Sequence, residues 1–281
     1  MTTYESTSGS IVHVELYSDD VEATQAFYEE TFGWSFEPIE GTEGAGEMGY
    51  TVWRAADPPF GGLVGPMEDA PFEPPVTLFY VGVEDLAATG EAIVEAGGEL
   101  LMEEMPVPGM GVFTVFRDPG GVVEAAWETR YEEASEEEMS RITDEPDEGS
   151  ITFFELYSED PDATRAFHEA VFGWEFETVE EGGYTTIRPP TPPYGGVMAA
   201  TDESPVGTLA YLLVGSAEDA ARAIEDAGGS VLREPFDVEG WGTMAVFESP
   251  GGVLQAVWEN AEGRAESAES ASAREERPSA S

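Results

Sequence analysis

Hydrophobic and polar side chains alternate over residues 10–18, which predicts a β-strand with two distinct faces. Asp20 follows as the N-cap of a predicted helix that reaches Phe32 and ends at Gly33. Apolar stretches separated by turns then predict strands at 34–39, 49–55 and 61–65. A second series has a strand at 76–83, a helix at about 85–96, and strands near 99–104, 111–117 and 122–128. Both series therefore have the order strand–helix–strand–strand–strand.

This double series is itself repeated later in the chain. Residues 9–37 and 149–177 align without a gap and are identical at 18 of 29 positions. Shorter segments recur in the same order, namely PPFGG and PPYGG, AIVEAGG and AIEDAGG, and FRDPGGVVEAAWE and FESPGGVLQAVWE. Self-similarity of this kind indicates a tandem duplication. We therefore expect a first unit at 9–128, an acidic linker at 129–148, a second unit at 149–259 and a disordered tail at 260–281.

Four such modules predict curved sheets with helices on the outer face and a concave inner face. In the first strand, alternation directs Val12, Val14 and Leu16 toward the helices. The opposite face presents Ile11, His13, Glu15 and Tyr17 to the hollow, matched in the second unit by Ile151, Phe153, Glu155 and Tyr157. Later strands are expected to add Leu78, Tyr80, Val123, Ala125 and Trp127 to the first hollow, and Leu209, Tyr211, Leu254, Ala256 and Trp258 to the second.

Each hollow thus combines aromatic walls with a few polar groups, which is the composition of a small-molecule pocket. Glu15 and Glu155 are the candidate catalytic residues, because a partly buried carboxylate is expected to have a raised pKa and can act as a general base. They could equally anchor a ligand, or be structural carboxylates satisfied by Tyr, by backbone amides or by Arg54 and Arg188. The candidate ligand-binding residues are His13, Tyr17, Tyr80, Trp127, Tyr157, Tyr211 and Trp258.

The charge of the chain excludes several classes of partner. Its 281 residues include 59 Asp and Glu against 11 Arg and no Lys, a formal net charge of −48. A chain without a basic patch does not bind nucleic acid or an anionic membrane electrostatically. The absence of Cys excludes disulfides and thiolate catalysis. With no apolar run long enough to span a bilayer and no signal pattern at the N-terminus, we expect a cytoplasmic protein.

The acidity does not indicate disorder, because hydrophobic residues make up 41% of the chain and aromatic residues 11%. Dispersed acid without Lys resembles the composition of proteins from salt-loving archaea, where molar salt screens the repulsion among carboxylates. The alternative is an acidic surface made for a partner, as in a DNA mimic or a cation buffer.

The segments HVELYSDDVEATQAFY (13–28) and DPGGVVEAAWE (118–128) resemble the vicinal oxygen chelate superfamily, which includes glyoxalase I, bleomycin-resistance proteins and extradiol dioxygenases. Glu15-Leu16 and Phe32-Gly33-Trp34, with their second-unit counterparts, resemble its four-module glyoxalase-like members. The resemblance covers about 9–259. It implies an α+β fold made of a tandem duplicated glyoxalase/bleomycin-resistance/dioxygenase domain, with four βαβββ modules and curved mixed sheets.

Enzymes of this superfamily hold a divalent metal between inward-facing His and Glu side chains. Carried over to this chain, the first-strand ligand position is His13 in the first unit and Phe153 in the second. The other ligand positions are occupied by Leu78, Leu209, Ala125 and Ala256, with no acid in 61–65 or 195–199. His13 is therefore the single family ligand position retained, and a bound Ni, Zn, Mn or Fe ion would need further ligands from elsewhere.

Taken together, the sequence predicts a glyoxalase-like protein that binds a small molecule in concave pockets and has lost most of the usual metal ligands. One alternative is a metal-dependent lyase, isomerase or dioxygenase with relocated ligands. Another is a non-catalytic structural protein whose hollows are filled by its own side chains. Because four modules in one chain supply the pairing that two-module relatives obtain by dimerising, we expect a monomer or a weak homodimer.

The charge also predicts salt-dependent stability. On dialysis from molar salt to about 0.1 M, the screening length grows from about 3 Å to about 10 Å and repulsion among the carboxylates increases. The melting temperature should therefore fall steeply, which calorimetry at several KCl concentrations would measure. An unchanged melting temperature would contradict the proposed adaptation to salt.

Overall fold

The structure is a computed structural model that describes residues 8–38, 50–67, 70, 72, 76–107, 110–130, 145–179 and 184–261. In the first unit, β1 (Ile11–Tyr17) and α1 (Val21–Phe32) precede three short strands, β2 (Ser35–Pro38), β3 (Thr51–Arg54) and β4 (Gly61–Val64). The second module consists of β5 (Val76–Gly82), α2 (Leu86–Glu95), β6 (Glu99–Leu100), β7 (Met105–Val107), β8 (Gly111–Arg117) and β9 (Val123–Thr129).

The second unit repeats this order. Its first module consists of β10 (Ile151–Ser158), α3 (Pro161–Phe172), β11 (Glu175–Thr178), β12 (Thr185–Arg188) and β13 (Tyr194–Ala199). Its second module consists of β14 (Gly207–Leu213), α4 (Ala217–Asp226), β15 (Ser230–Val238), β16 (Gly242–Glu248) and β17 (Leu254–Asn260). Most of the predicted linker and nearly all of the predicted tail lie outside the described residues.

The helices begin where their capping side chains indicate. Asp20, Asp85 and Asp160 each accept a hydrogen bond from the backbone N–H three residues later, which satisfies a donor that the first helical turn leaves free. At the other end of α1 and α3, Gly33 and Gly173 adopt φ of 68°, a left-handed conformation that glycine takes without strain. The predicted helix bounds are therefore confirmed within two residues.

Each unit forms one curved sheet. In the first, the strand order is β2-β3-β4-β1-β5-β9-β8-β6, with β7 also paired to β8, and in the second it is β11-β12-β13-β10-β14-β17-β16-β15. The antiparallel pairs β1–β5 and β10–β14 join the two modules at the centre of each sheet. This arrangement confirms the predicted α+β architecture of mixed, curved sheets.

Two details of the strand prediction were wrong. Of the strand expected at 99–104, only Glu99 and Leu100 form β6, and a separate short strand, β7, follows beyond the predicted range. In β1, a bulge between Ile11 and His13 inserts one extra residue and reverses the alternation before it. Ile11 consequently packs in the core on the helix side, whereas Val12 faces the hollow. An equivalent bulge in β10 turns Ile151 to the helix side as well.

The two sheets share one helix-side core. Phe27 on α1 packs against Phe247 of the second sheet, and Phe167 on α3 packs against Phe116 of the first, with ring centroids 5.8 and 5.7 Å apart. The indole N–H of Trp34 donates to the Gly149 carbonyl, and that of Trp174 to the Gly9 carbonyl. The helices of each unit therefore pack against the sheet of the other, and the concave faces point away from this shared core.

The Gly-Gly turns after β8 and β16 complete this reciprocal packing. The Glu159 N–H donates to the Gly120 carbonyl, and the Asp19 N–H to the Gly251 carbonyl. A Cβ on Gly120 would collide with the side-chain oxygens of Ser158 and Thr164, which explains why the turn needs glycine there. Sequence analysis alone could not assign these turns to an interface.

One pair of buried polar contacts differs between the two halves of this interface. The Tyr28 hydroxyl donates to Gln255 Oε1. At the equivalent place, His168 Nε2 lies 2.6 Å from Glu124 Oε2, and both side chains are fully buried. Burial alone would lower the pKa of His168, but the charge and hydrogen bond of Glu124, with the charge of Asp118, raise it. The second half of the interface thus contains a buried ion pair, whereas the first half contains a hydrogen bond between two neutral side chains.

Among the described helices, none combines the length and apolar content needed to cross a membrane.

Replacing His168 by Tyr and Glu124 by Gln should recreate the neutral Tyr28–Gln255 contact. Each single replacement removes one charge of the buried ion pair and leaves the other without its counter-charge, which should cost about 3 kcal/mol of unfolding free energy. The double variant should cost clearly less than the sum of the two singles, as measured by denaturation at molar salt. Additive costs would contradict direct coupling of the pair.

The same variants test the pH dependence of stability. Because the folded-state pKa of His168 is raised, the stabilisation from this pair is fully present below about pH 6.5 and is lost as pH rises through the folded-state value. Relative to the double variant, the unmodified protein should therefore lose stability toward alkaline pH.

Candidate functional site

Each concave face is a hollow lined by aromatic and aliphatic side chains. In the first hollow, the buried lining residues are Tyr17, Val64, Leu78, Tyr80, Val115 and Ala125, with Trp127 and Phe113 packed against them. In the second hollow, they are Leu209, Tyr211 and Ala256, joined by partly buried side chains that include Phe153, Tyr157, Met244, Val246 and Trp258. Except for Ile11 and Ile151, the side chains predicted to face each hollow do so.

Glu15 is the polar centre of the first hollow. Its Oε2 accepts hydrogen bonds from the hydroxyls of Tyr17 and Tyr80, at 2.7 and 2.6 Å. Its Oε1 lies 3.8 Å from Nε2 of His13, which in turn hydrogen-bonds to the Tyr50 hydroxyl at 3.3 Å. Glu15 is 8% exposed, and the side chain of its neighbour His13 is 25% exposed.

Glu155 holds the equivalent place in the second hollow, where it is 7% exposed. Its Oε2 accepts hydrogen bonds from Tyr157 and Tyr211, each at 2.6 Å, and its Oε1 accepts one from Tyr184 at 3.0 Å. Phe153 stands where the first hollow has His13, with its ring against Tyr211. Both units therefore surround a buried carboxylate with tyrosine hydroxyls, and only the first adds an imidazole.

The carboxylate of Glu15 is stabilised in its charged form. Burial alone raises the pKa of Glu15, but the adjacent imidazole of His13 and the hydrogen bonds of Tyr80 and Tyr17 together lower it below its usual value. The expected raised pKa was therefore wrong for this residue. Conversely, burial and the adjacent carboxylate raise the pKa of the surrounding tyrosines, so they remain neutral donors.

Sequence analysis missed Tyr50 and Tyr184, although the repeat offers a signal for both. They occupy matching positions in GYTVWR (49–54) and GYTTIR (183–188). Each ring lies over the second glycine of a PPFGG or PPYGG segment, and a Cβ on Gly62 or Gly196 would collide with the tyrosine hydroxyl. The duplicated glycines are thus required for the tyrosine to approach the carboxylate.

The arginines considered as partners for the carboxylates have aromatic neighbours. The Arg54 guanidinium lies 5.2 Å from the centroid of Phe60, and that of Arg188 lies 5.2 Å from the centroid of Tyr194. The indole N–H groups of Trp127 and Trp258 donate to Thr129 and Asn260, respectively. These tryptophans are accordingly fixed as wall residues at the edge of each hollow.

The donor set of the hollows does not fit the metal site of the superfamily. His13 and Glu15 supply two ligands in the first hollow, and one Glu15 oxygen is already occupied by two tyrosines. Catalytic sites for zinc and non-haem iron(II) hold the ion with three protein ligands. No group of three or more His, Asp or Glu side chains with suitable spacing occurs within the described ranges.

A separate groove of about 480 Å³ lies between α2 and the β6–β8 region, lined by Leu86, Gly90, Val94 and Leu100 with a rim of glutamates. It is away from both Glu–Tyr clusters, since none of their side chains lines it. We place the candidate chemistry in the hollows, because they contain the polar groups that could orient a ligand.

Known proteins share the sequence pattern of this chain over both units. The sequence pattern of the Glyoxalase/Bleomycin resistance protein/Dioxygenase superfamily matches residues 10–123 and 150–257. Among curated relatives, "Putative glyoxylase CFP32" of Mycobacterium bovis is 27% identical over 87% of this chain and 92% of its own length. "Anthracycline biosynthesis protein DauV" of a Streptomyces species is 29% identical over 82% of this chain and 86% of its own.

Solved structures show the same fold. A Mn(II)-bound glyoxalase from Novosphingobium aromaticivorans superposes with a TM-score of 0.62 at 15% identity, covering 91% of this chain and 83% of its own. A trihydroxybiphenyl dioxygenase from Sphingomonas wittichii superposes with a TM-score of 0.59 at 15% identity, covering 91% of each chain.

Removing one tyrosine hydroxyl should change the titration of Glu15. In Tyr80→Phe, the charged carboxylate loses one hydrogen bond, and the Glu15 pKa should rise by roughly 1. Carboxyl ¹³C NMR would measure it, with the resonance assigned by its loss in Glu15→Gln. Tyr211→Phe, the matched variant in the other hollow, should leave the Glu15 pKa unchanged.

Tyr80→Phe should also change how the stability of the protein depends on pH. Because the folded-state pKa of Glu15 is lowered, this group stabilises the protein above about pH 4.5 and loses that effect as pH falls through its folded-state value. Tyr80→Phe should reduce this contribution. A Glu15 pKa that does not move would contradict the hydrogen-bonded cluster.

Proposed function

The chain belongs to the Glyoxalase/Bleomycin resistance protein/Dioxygenase superfamily, and we propose that it is a small-molecule-binding member with one ligand site in each hollow. The observation that carries this proposal is the duplicated cluster of one buried carboxylate and its tyrosine hydroxyls. Such a cluster fixes a polar group at the base of an apolar hollow, which orients a ligand without requiring a reaction.

The carboxylates define what the ligand must offer. An ionised carboxylate accepts about four hydrogen bonds, and the tyrosines account for three of them at Glu155. A ligand hydroxyl, amide N–H or ammonium group would supply the remaining donor. The indole walls formed by Trp127 and Trp258 favour a planar ligand with apolar faces.

A metal-dependent lyase, isomerase or dioxygenase is the second candidate function, and one observation favours it in the first hollow. His13 and Glu15 lie side by side, 3.8 Å apart, on the strand where the superfamily carries a metal ligand. A solved structural relative is a Mn(II)-bound glyoxalase, so a divalent metal is compatible with this fold. Phe153 removes the equivalent imidazole from the second hollow, which limits this function to one site.

We further propose that the protein is monomeric. The support is the shared core, because each unit covers the helix-side face of the other within one chain. The structural alternative, in which the hollows only hold the fold together, predicts no ligand at either Glu.

Ligand binding is tested by thermal shift at molar salt with a panel of small planar compounds that carry hydroxyl or amine groups. A compound at a hundredfold excess over its Kd stabilises the folded protein by about 2.7 kcal/mol. We expect the shift to decrease in Glu15→Gln and Glu155→Gln and to vanish in the double variant. A shift that persists in the double variant would place the ligand elsewhere, and no shift with any compound would favour the structural alternative.

Metal content separates the binding protein from the enzyme. The protein purified without chelator, and then incubated with nickel, zinc, manganese or iron(II), should retain far less than one metal per chain. His13→Ala provides the control. Stoichiometric metal that is lost in this variant would overturn the metal-free proposal and establish the first hollow as a metal centre.

A further inference from the structure

The rims of the two hollows differ at two matching positions. Segments 97–113 and 228–244 align without a gap, from the Gly-Gly after the second helix of each unit into the following strands. In this alignment Met102 corresponds to Arg233, and Met105 corresponds to Phe236. The first hollow therefore has two thioethers where the second has a cation and an aromatic ring.

Strand register places the second pair on the concave face. Arg233 pairs with Val246 and Phe236 pairs with Met244 across β15 and β16. Val246 and Met244 both line the second hollow, and directly opposed residues of an antiparallel pair point to the same face. The guanidinium carbon of Arg233 lies 3.6 Å from the centroid of the Phe236 ring, which fixes the cation at the rim.

The charge of Arg233 is available to a ligand. The chain has 11 basic residues, and several described ones are paired, such as Arg117 with Glu99, Arg130 with Glu128 and Arg222 with Asp219. Arg233 forms no salt bridge with any residue that the structure describes.

The field of Arg233 also reaches the Glu155 cluster. Burial and the charge of Glu155 raise the pKa of Tyr157, and the charge of Arg233 acts in the opposite direction. The cation is thus near enough to the Tyr157 hydroxyl to influence it, so the rim and the base of this hollow belong to one site.

We propose that the second hollow binds an aromatic carboxylate that carries a hydroxyl or N–H group, with its carboxylate at Arg233 and its donor group at Glu155. This inference rests on the proposed ligand-binding function and names the ligand class of one of its two sites. The first hollow, with Met102 and Met105 at the same rim positions, binds uncharged ligands.

Arg233 and Glu155 together determine which end of the ligand is charged and which end donates a hydrogen bond. A guanidinium presents a planar fork of donors that matches a carboxylate, and its face is already covered by Phe236. Glu155 repels a second anion at the base of the hollow and accepts a hydrogen bond instead. The ligand must therefore be anionic at one end and a donor at the other.

Two matched probes test the proposal, a hydroxynaphthoate and the hydroxynaphthamide of the same substitution pattern. They differ only in the charge of the group directed at Arg233. Isothermal titration at molar salt should show that the unmodified protein binds the carboxylate about tenfold more tightly than the amide at one site per chain, as expected for one charge-assisted hydrogen-bonded contact.

Exchanging the two rim residues of one hollow for those of the other makes the test specific. Arg233→Met with Phe236→Met should abolish the preference for the carboxylate while the amide still binds. Met102→Arg with Met105→Phe should create a second carboxylate-preferring site in the first hollow. Arg222→Met, which removes one positive charge from α4 outside the hollows, is the matched control and should leave the preference unchanged.

The outcomes separate the two proposals. If the amide binds but the unmodified protein shows no preference for the carboxylate, or if the preference survives the Arg233 exchange, the inference is overturned and the proposed function stands. If neither probe binds either hollow, the inference is overturned, and the proposed function is decided separately by the thermal-shift panel and the Glu15→Gln and Glu155→Gln variants. A preference that follows the Arg–Phe pair from one hollow to the other supports the inference.

Discussion

The reciprocal packing of the two units on their helix sides is the constraint on which the rest of this structure depends. Each curved sheet has an apolar convex face that must be covered, and each unit covers the other through its helices and aromatic side chains. Trp34 and Trp174 fix this arrangement by donating to backbone carbonyls across the interface. Since one shared core covers the helix side of both sheets, the side chains of the concave faces form clusters of their own, separate from that core.

Within each hollow, hydrogen-bond donors offset the cost of burying a carboxylate. A carboxylate that is more than nine-tenths buried is costly unless hydrogen-bond donors replace the water it has lost. At Glu155 the described donors are tyrosine hydroxyls, which introduce no positive charge, whereas at Glu15 the imidazole of His13 lies beside the tyrosines. Among the described residues, this surface offers two potential metal ligands in the first hollow, His13 and Glu15, beside the tyrosine hydroxyls.

The sequence was sufficient for the element order, for the duplication and for most of the side chains that face each hollow. Period-two alternation placed Glu15, Tyr17, Tyr80 and Trp127 together because every one of them lies on a regular strand. Alternation failed at Ile11, because a bulge is a property of two paired strands and leaves no mark in one of them. Tyr50 and the interface turn at Gly120 were missed for a related reason, since their partners come from other strands or from the other unit.

The buried contacts at the interface also determine which halves can pair. In an assembly of two first units, Tyr28 would face Glu124, and in an assembly of two second units, His168 would face Gln255. In the first mismatch the Glu124 carboxylate would lose its imidazole, and in the second His168 would lose its carboxylate, whereas the observed pairing joins Tyr28 with Gln255 and His168 with Glu124. The divergence of this one contact therefore distinguishes the observed pairing of unlike halves from a pairing of like halves.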